Sequence, residues 1–503
     1  MMNPPEQTRK GIRTVDLGNV EDAREVLKAY DNALALNPGY ADGWNTKAVI
    51  LAKLGRDEEA LDAFDKALML EPGRIDSLQL KAALLLKLGR TEEALDTCTR
   101  AQTIAPADAV LWNIKGLALV ALRMWDEALA AINQEISLNP VSATAWSNKG
   151  IALVHLNRNT EALEASDRAV SIQPKDATAW NKKGYILDTL GRFDEAVAAI
   201  ERAIKINPKN PDLWSHKGLS LARLGRHGQA LAAFYKAITL APGKTSIWIY
   251  KGAALFKLGR DTDALKTYDH AISLDPDSAS AWSNKGQVLD HLGRLNDALA
   301  AYEKAAFLDP GLAVIWFNKG TAFVHVNRFE EALAAYDKAV TTDPAYVDAW
   351  YNKANTLASL ERYPEAIDAY DHLLTINPDY IDAWFNKGST FARLEEFGKA
   401  KEAFDKVISL DPSLPDAWCS IGELMEKQGR TDEAMAAFDS ALSIDPSYIP
   451  AWNHKAHLFE ELQEFDKAVS CYEEAIRVRA GSLTVQKLRK GFRPTRHNPK
   501  KSR

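Results

Sequence analysis

Cysteine is scarce: Cys98, Cys419 and Cys471 are the only three in 503 residues. They are too few and too scattered for a disulfide framework or a four-ligand zinc site, so they read as reduced, small apolar side chains. Long apolar runs are missing too. The longest, such as residues 117–122 and 82–86, fall far short of the roughly 18 to 20 residues a membrane helix needs, so no membrane span is expected. Residues 1–20 carry Pro4, Pro5, Glu6, Arg9, Lys10 and Asp16 but no apolar signal-peptide core, which points to an intracellular, cytoplasmic protein. There is no Gly-rich phosphate loop ending in Gly-Lys-Ser/Thr, no His-Glu-x-x-His and no Gly-x-Ser-x-Gly. No catalytic residue, enzyme activity or cofactor is therefore expected.

What is present is an ordinary folded composition, 46% hydrophobic and 26% charged, which excludes intrinsic disorder. At roughly 100 to 200 residues per domain, this length suggests about three globular domains unless the chain repeats itself. Charge is unevenly placed. Residues 481–503 hold eight Lys or Arg and no acid, which leaves the body at −14 against a net −6. The tail reads either as a solvated, flexible terminus or as a contact for nucleic acid or an acidic surface.

The chain does repeat. Twelve of thirteen tryptophans form one series with a step of 34, from Trp44 through Trp112, Trp146, Trp180 and so on to Trp452, and only Leu78 interrupts it. Sixteen residues after each of these anchors stands an alanine, Ala60 to Ala468, without exception; a large apolar residue lies seven after, and a proline twenty-eight after in all but the last unit. Thirteen units thus cover residues 41–482. This spacing, W-x2-L-G-x2-Y, then A-x3-F, then P, resembles the tetratricopeptide repeat over about nine-tenths of the chain. The resemblance implies an all-α, right-handed superhelical solenoid of helix-turn-helix units, with helix A of each unit lining a concave groove.

Each slot has a physical reason. The anchor and the residue seven on share a buried face of helix A. Gly or Ala four after the anchor, as at Gly150, Gly286 and Ala354, and the alanine on helix B let two helices approach closely. Eleven after the anchor come seven glycines and two asparagines, which accept the left-handed conformation that ends helix A. Proline ends helix B, and acids such as Asp42, Asp76, Asp348 and Asp382 favour the next helix start. Val26, Tyr30, Ala33 and Pro38 fill helix B slots, so residues 21–40 are read as a capping half repeat after a flexible segment 1–20. Residues 483–503 form the basic tail, in which Val485, Leu488 and Phe492 share a helical face.

Among candidate chemistry, His155, His291 and His325 fall at the exposed end of helix A, and His454 and His457 sit i, i+3. No third Cys, His or acid at ligand spacing accompanies that pair, so no metal is expected. Acid pairs such as Glu58 with Glu59 and Glu92 with Glu93 begin helix B and serve its N-terminus. Three after the anchor, twelve of thirteen units carry lysine, with Ile421 the exception. This ladder reads either as stems covering the seam with ammoniums on repeated acids, or as a positive stripe for an acidic ligand.

In this family, ligands are contacted one, two and five residues after the anchor. Two after it, four consecutive units present Asn284, Asn318, Asn352 and Asn386, with Asn148 isolated upstream. The same stretch places Ser283, Phe317, Tyr351 and Phe385 one after the anchor and Gln287, Thr321, Asn355 and Ser389 five after. An asparagine amide can donate to a backbone carbonyl and accept from a backbone N–H at once, so the pattern suits an extended peptide. It is similar to the asparagine ladder of the O-linked GlcNAc transferase repeat domain. No glycosyltransferase domain is expected, since about 20 residues follow the last unit. The alternative is that asparagine is simply common at this slot.

No unit has lysine one after its anchor, which argues against the carboxylate clamp of chaperone adaptors. Leu80, Ile114, Leu117 and Ile151 make the N-terminal groove apolar, either as a second site or as a tighter inner surface. The expected function is a non-catalytic scaffold that binds a protein or peptide partner in its groove. Self-association through the array ends or the basic tail is the alternative, with the oligomeric state open, and nucleic acid is disfavoured by the acidic body.

Overall fold

The computed structural model describes the backbone of residues 20–491 and the side chains of residues 23–479. The expectations for residues 1–19 and for the Val485, Leu488 and Phe492 face lie outside these residues. Among the described residues there are 27 helices and no strand. The fold is an all-α helical-repeat solenoid, and the chain divides into two compact units, residues 1–259 and 260–503. From Ala41 onward, a 13-residue helix A alternates with a 14-residue helix B, as in Ala41–Lys53 and Asp57–Leu70. The last helix B, Phe465–Gly491, runs 27 residues. Helix Val20–Leu36 precedes the first unit and buries Ala23 and Leu27 in one cluster with Ile50, Leu51 and Phe64. No helix is long and apolar enough to cross a membrane, among the described residues.

All thirteen positions eleven after the anchor are left-handed, not only the glycines and asparagines. Arg123, Glu361, Glu395 and Gln463 adopt φ of 57° to 64° there, beside glycines at 69° to 77°. Register imposes the turn even where the residue resists it, because the next amide reaches back to close the helix, as Arg56 N–H does on the Leu51 carbonyl at 3.0 Å.

The recurrent tryptophan and proline are joined by one bond. The indole Nε1 donates to the carbonyl of the proline six residues earlier at eleven of the twelve anchors, for example Trp112 to Pro106 at 2.8 Å and Trp350 to Pro344 at 3.0 Å. Each bond fixes the turn that leads into helix A. In the second unit, where Leu78 replaces tryptophan, the leucine is buried with Leu68, Ala101 and Leu111 instead.

The lysine ladder follows the first of its two readings. Nine of the twelve ammoniums pair with an acid sixteen residues earlier on the preceding helix B, among them Lys47 with Asp31 at 2.6 Å, Lys183 with Asp167 at 2.5 Å, Lys217 with Glu201 at 2.8 Å and Lys387 with Asp371. The others in register are Lys81, Lys285, Lys319, Lys353 and Lys455. The stems cross the anchor rings, with Lys353 Nζ 5.0 Å from the Trp350 centroid. Where Ile421 breaks the ladder, Asp405 turns to Lys401 on its own helix at 2.7 Å.

Candidate binding groove

At two junctions stacking brings three slots together: the residues one and five after an anchor, and the residue two after the next. In the second compact unit this joins Tyr351, Asn355 and Asn386. Asn386 Nδ2 donates to the Tyr351 hydroxyl at 3.1 Å and to Asn355 Oδ1 at 3.0 Å, and the Tyr370 hydroxyl donates to the same Oδ1 at 2.5 Å. Both hydrogens of the Asn386 amide and both lone pairs of Asn355 Oδ1 are thereby used. Asn355 Nδ2 and Asn386 Oδ1 make no hydrogen bond to another described residue, and both side chains line an open cleft of about 470 Å³ with Ser389, Thr390, Arg393 and Tyr363.

The asparagines answer a second ladder that sequence reasoning missed. Tyr268, Tyr302, Tyr336 and Tyr370 stand where the repeat usually has phenylalanine, each sixteen residues before one of the four asparagines. All four rings are fully buried. Gly286 and Gly320 make room for two of them, since a Cβ at Gly320 would lie 2.6 Å from the Tyr336 ring. The Tyr336 hydroxyl meets Thr321 Oγ1 at 3.3 Å, five after its anchor, as the Tyr370 hydroxyl meets Asn355 Oδ1 in the next unit. Burial pushes all four phenols above their ordinary value.

The remaining candidates are placed as follows. Asn318 is 9% exposed and Asn148 5%, and the Nδ2 of each is buried without a partner among the described residues. Asn148 Oδ1 accepts from Lys182 Nζ at 2.6 Å, and burial lowers that lysine's affinity for its proton. Asn284 and Gln287 are half-buried. Phe317 lies half-buried between Tyr346 and Tyr336, with centroids 5.1 and 6.2 Å away, and Phe385 packs on Phe404 at 5.4 Å, so part of their area serves the core. In the N-terminal groove Ile114 is buried with Ala82 and Cys98, while Leu80 is 41% exposed.

The sequence offered no third ligand beside His454 and His457, but Cys419, Glu423 and His454 bring their ligand atoms within 4.8 Å of one another. They occupy the same three slots as Tyr351, Asn355 and Asn386, one unit pair further on. Spacing along the chain hid them because their proximity arises from stacking, with 35 residues between Cys419 and His454.

Two further crevices of about 550 Å³ lie elsewhere, one lined by Trp214, Lys217 and Arg226, the other by Trp282, Lys285 and Arg294. Nine lining positions recur between them at an offset of two units, so they are a product of the repeat.

The tetratricopeptide repeat model matches residues 8–77, 115–177, 181–245, 250–313, 317–381 and 385–449, and a second model of the same repeat matches 75–108 and 449–481. Among solved structures, the chain is similar to the crystal structure of the APC/C hetero-tetramer Cut9-Hcn1, at 14% identity over 85% of this chain and 98% of that one, with a TM-score of 0.40. It is also similar to two crystal structures of MamA, both at 22% identity, over 33% and 34% of this chain and 96% and 94% of theirs, with TM-scores of 0.31 and 0.32. No curated protein matches it. These likenesses concern the fold alone.

Proposed function

The chain belongs to the tetratricopeptide repeat family, in general non-catalytic scaffolds for protein partners, and from that premise we propose that the groove over residues 351–393 holds an extended peptide segment of a partner. The observation that carries this reading is the pair of unspent groups in the open cleft, Asn355 Nδ2 and Asn386 Oδ1. A donor and an acceptor side by side, with their amides already oriented by Tyr351 and Tyr370, match the N–H and C=O of an extended backbone and read no side chain. Asn352, Asn318 and Asn284 continue the line, with Phe317, Tyr351 and Phe385 offering apolar contact.

The test is capture from native lysate read by mass spectrometry, comparing the wild type with the variant Asn284→Ala, Asn318→Ala, Asn352→Ala and Asn386→Ala, matched for helix content by circular dichroism. A partner lost with the variant supports groove binding. Equal recovery with both proteins contradicts it.

A second reading, self-association at the C-terminal end, is favoured by Leu462, Phe465, Val469 and Ile476, which are all half or more exposed. Light scattering decides it. A mass above one chain supports end-to-end assembly, and a drop when residues 481–503 are removed assigns it to the basic tail.

A further inference from the structure

The junction that holds Cys419, Glu423 and His454 departs from the repeat in several ways at once. It carries a thiol one after the anchor, a carboxylate five after it, an imidazole two after the next anchor, and Ile421 in place of the ladder lysine. A soft sulfur, a nitrogen and an oxygen therefore converge in the one unit of thirteen that lacks the ladder lysine. His454 Nε2 lies 3.3 Å from Glu423 Oε1, and Cys419 Sγ lies 4.0 Å from the same oxygen. In a tetrahedral zinc site with Zn–N near 2.0 Å, Zn–O near 2.1 Å and Zn–S near 2.3 Å, such pairs are separated by about 3.3 Å and about 3.6 Å. The nitrogen–oxygen edge is in place, the sulfur–oxygen edge is a few tenths of an ångström long, and the sulfur lies within 4.8 Å of the nitrogen.

The surroundings are those of a supported ligand. The other ring nitrogen of His454, Nδ1, meets Glu426 Oε2 at 3.1 Å, a partner that would keep its proton when an ion takes the Nε2 lone pair beside Glu423. Glu426 also holds His457 Nδ1 at 3.0 Å. The Phe438 ring lies parallel to the imidazole, 10° between planes, and sets its orientation. Asp416, Glu423 and Glu426 place three carboxylates around this corner, and Tyr448 donates to Asp416 at 2.8 Å. Cys419 is buried, whereas Glu423 and His454 keep 46% and 34% of their side-chain exposure, which leaves a path from solvent.

We propose that Cys419, Glu423 and His454 bind a divalent transition ion of the zinc class, clamping helix Pro415–Lys427 to helix Ile449–Glu461. A thiolate, an imidazole and one carboxylate favour zinc over magnesium or calcium, which take oxygen ligands alone. Binding releases the Cys419 proton, and that of His454 where the imidazole is protonated, to solvent. Three protein ligands leave the fourth position to water.

The experiment is titration of the full chain with Co²⁺ and then Zn²⁺, followed by the near-ultraviolet thiolate-to-cobalt band. One Co²⁺ per chain is expected to raise the band, and one Zn²⁺ to abolish it. Cys98→Ala with Cys471→Ala keeps the band and assigns the thiolate to Cys419 without touching the site, while Cys419→Ala loses it. Glu426→Gln weakens binding by about 10- to 100-fold with the band retained. Absence of the band in the wild type, or its survival in Cys419→Ala, overturns the proposal. In that case His454 is an imidazolium held by Glu423 and Glu426 and nothing more.

Discussion

Asparagine is an expensive residue to bury, and two of this protein's groove asparagines are buried with an unpaired amide. Asn318 Nδ2 has no partner among the described residues, a deficit of about 1–3 kcal/mol for a donor cut off from water. Asn318→Leu, close in volume, should therefore raise stability by about 1 kcal/mol in urea melts. A loss of stability would mean that the amide is satisfied. The tyrosines beneath the ladder give a pH prediction of definite sign. Burial favours the neutral phenol, so the folded values of Tyr268, Tyr302, Tyr336 and Tyr370 lie above the unfolded value near 10. The stability this contributes is complete below about pH 10 and is lost as the pH rises toward the folded values. Urea midpoints should fall above pH 10, and Tyr302→Phe should flatten that fall. At neutral pH the thiol of Cys98, pushed up to about 11 by burial, should resist alkylation in the native state.

The helices were legible from the period alone, since every anchor, small residue and proline marks its slot, and the structure follows them. What residue type did not reveal was how strictly register rules. Glu361 and Glu395 carry the same left-handed φ as Gly55 or Gly293, and no local preference in glutamate announces it. Replacing either with glycine should stabilise by about 1 kcal/mol, read as a higher thermal midpoint; an unchanged midpoint would mean that the turn relaxes in solution. The indole-to-proline bond likewise predicts that Trp350→Phe, which removes the donor and one ring of the indole, costs at least about 1 kcal/mol. The candidate site was legible slot by slot but not as contacts. The sequence places Asn355 and Asn386 in their register, yet their mutual bond, and the meeting of Cys419 with His454, come from the offset with which one helix A lies on the next. The tyrosine ladder was visible in the sequence and passed as ordinary repeat core, because tyrosine and phenylalanine fill the A-x3-F slot equally well and differ only in where the hydroxyl ends.

At the scale of the whole molecule, thirteen similar units make repetition itself the background against which a site must stand out. The crevices at Trp214 and Trp282 recur in register and mark no position, and nine of the twelve ladder lysines are spent on acids of the preceding helix. The cleft at Asn355 and Asn386 differs, because its lining combines residues that no other junction shares. The central claim is that a partner's extended segment lies there. Its most direct measurement places a photoreactive side chain at Ser389, inside the cleft, and another at Ala300, in the Trp282 crevice. Each protein is irradiated with its captured partner, and the joined peptides are read by mass spectrometry. The account predicts one contiguous partner segment crosslinked from Ser389 and none from Ala300; crosslinks from Ala300 alone would contradict it.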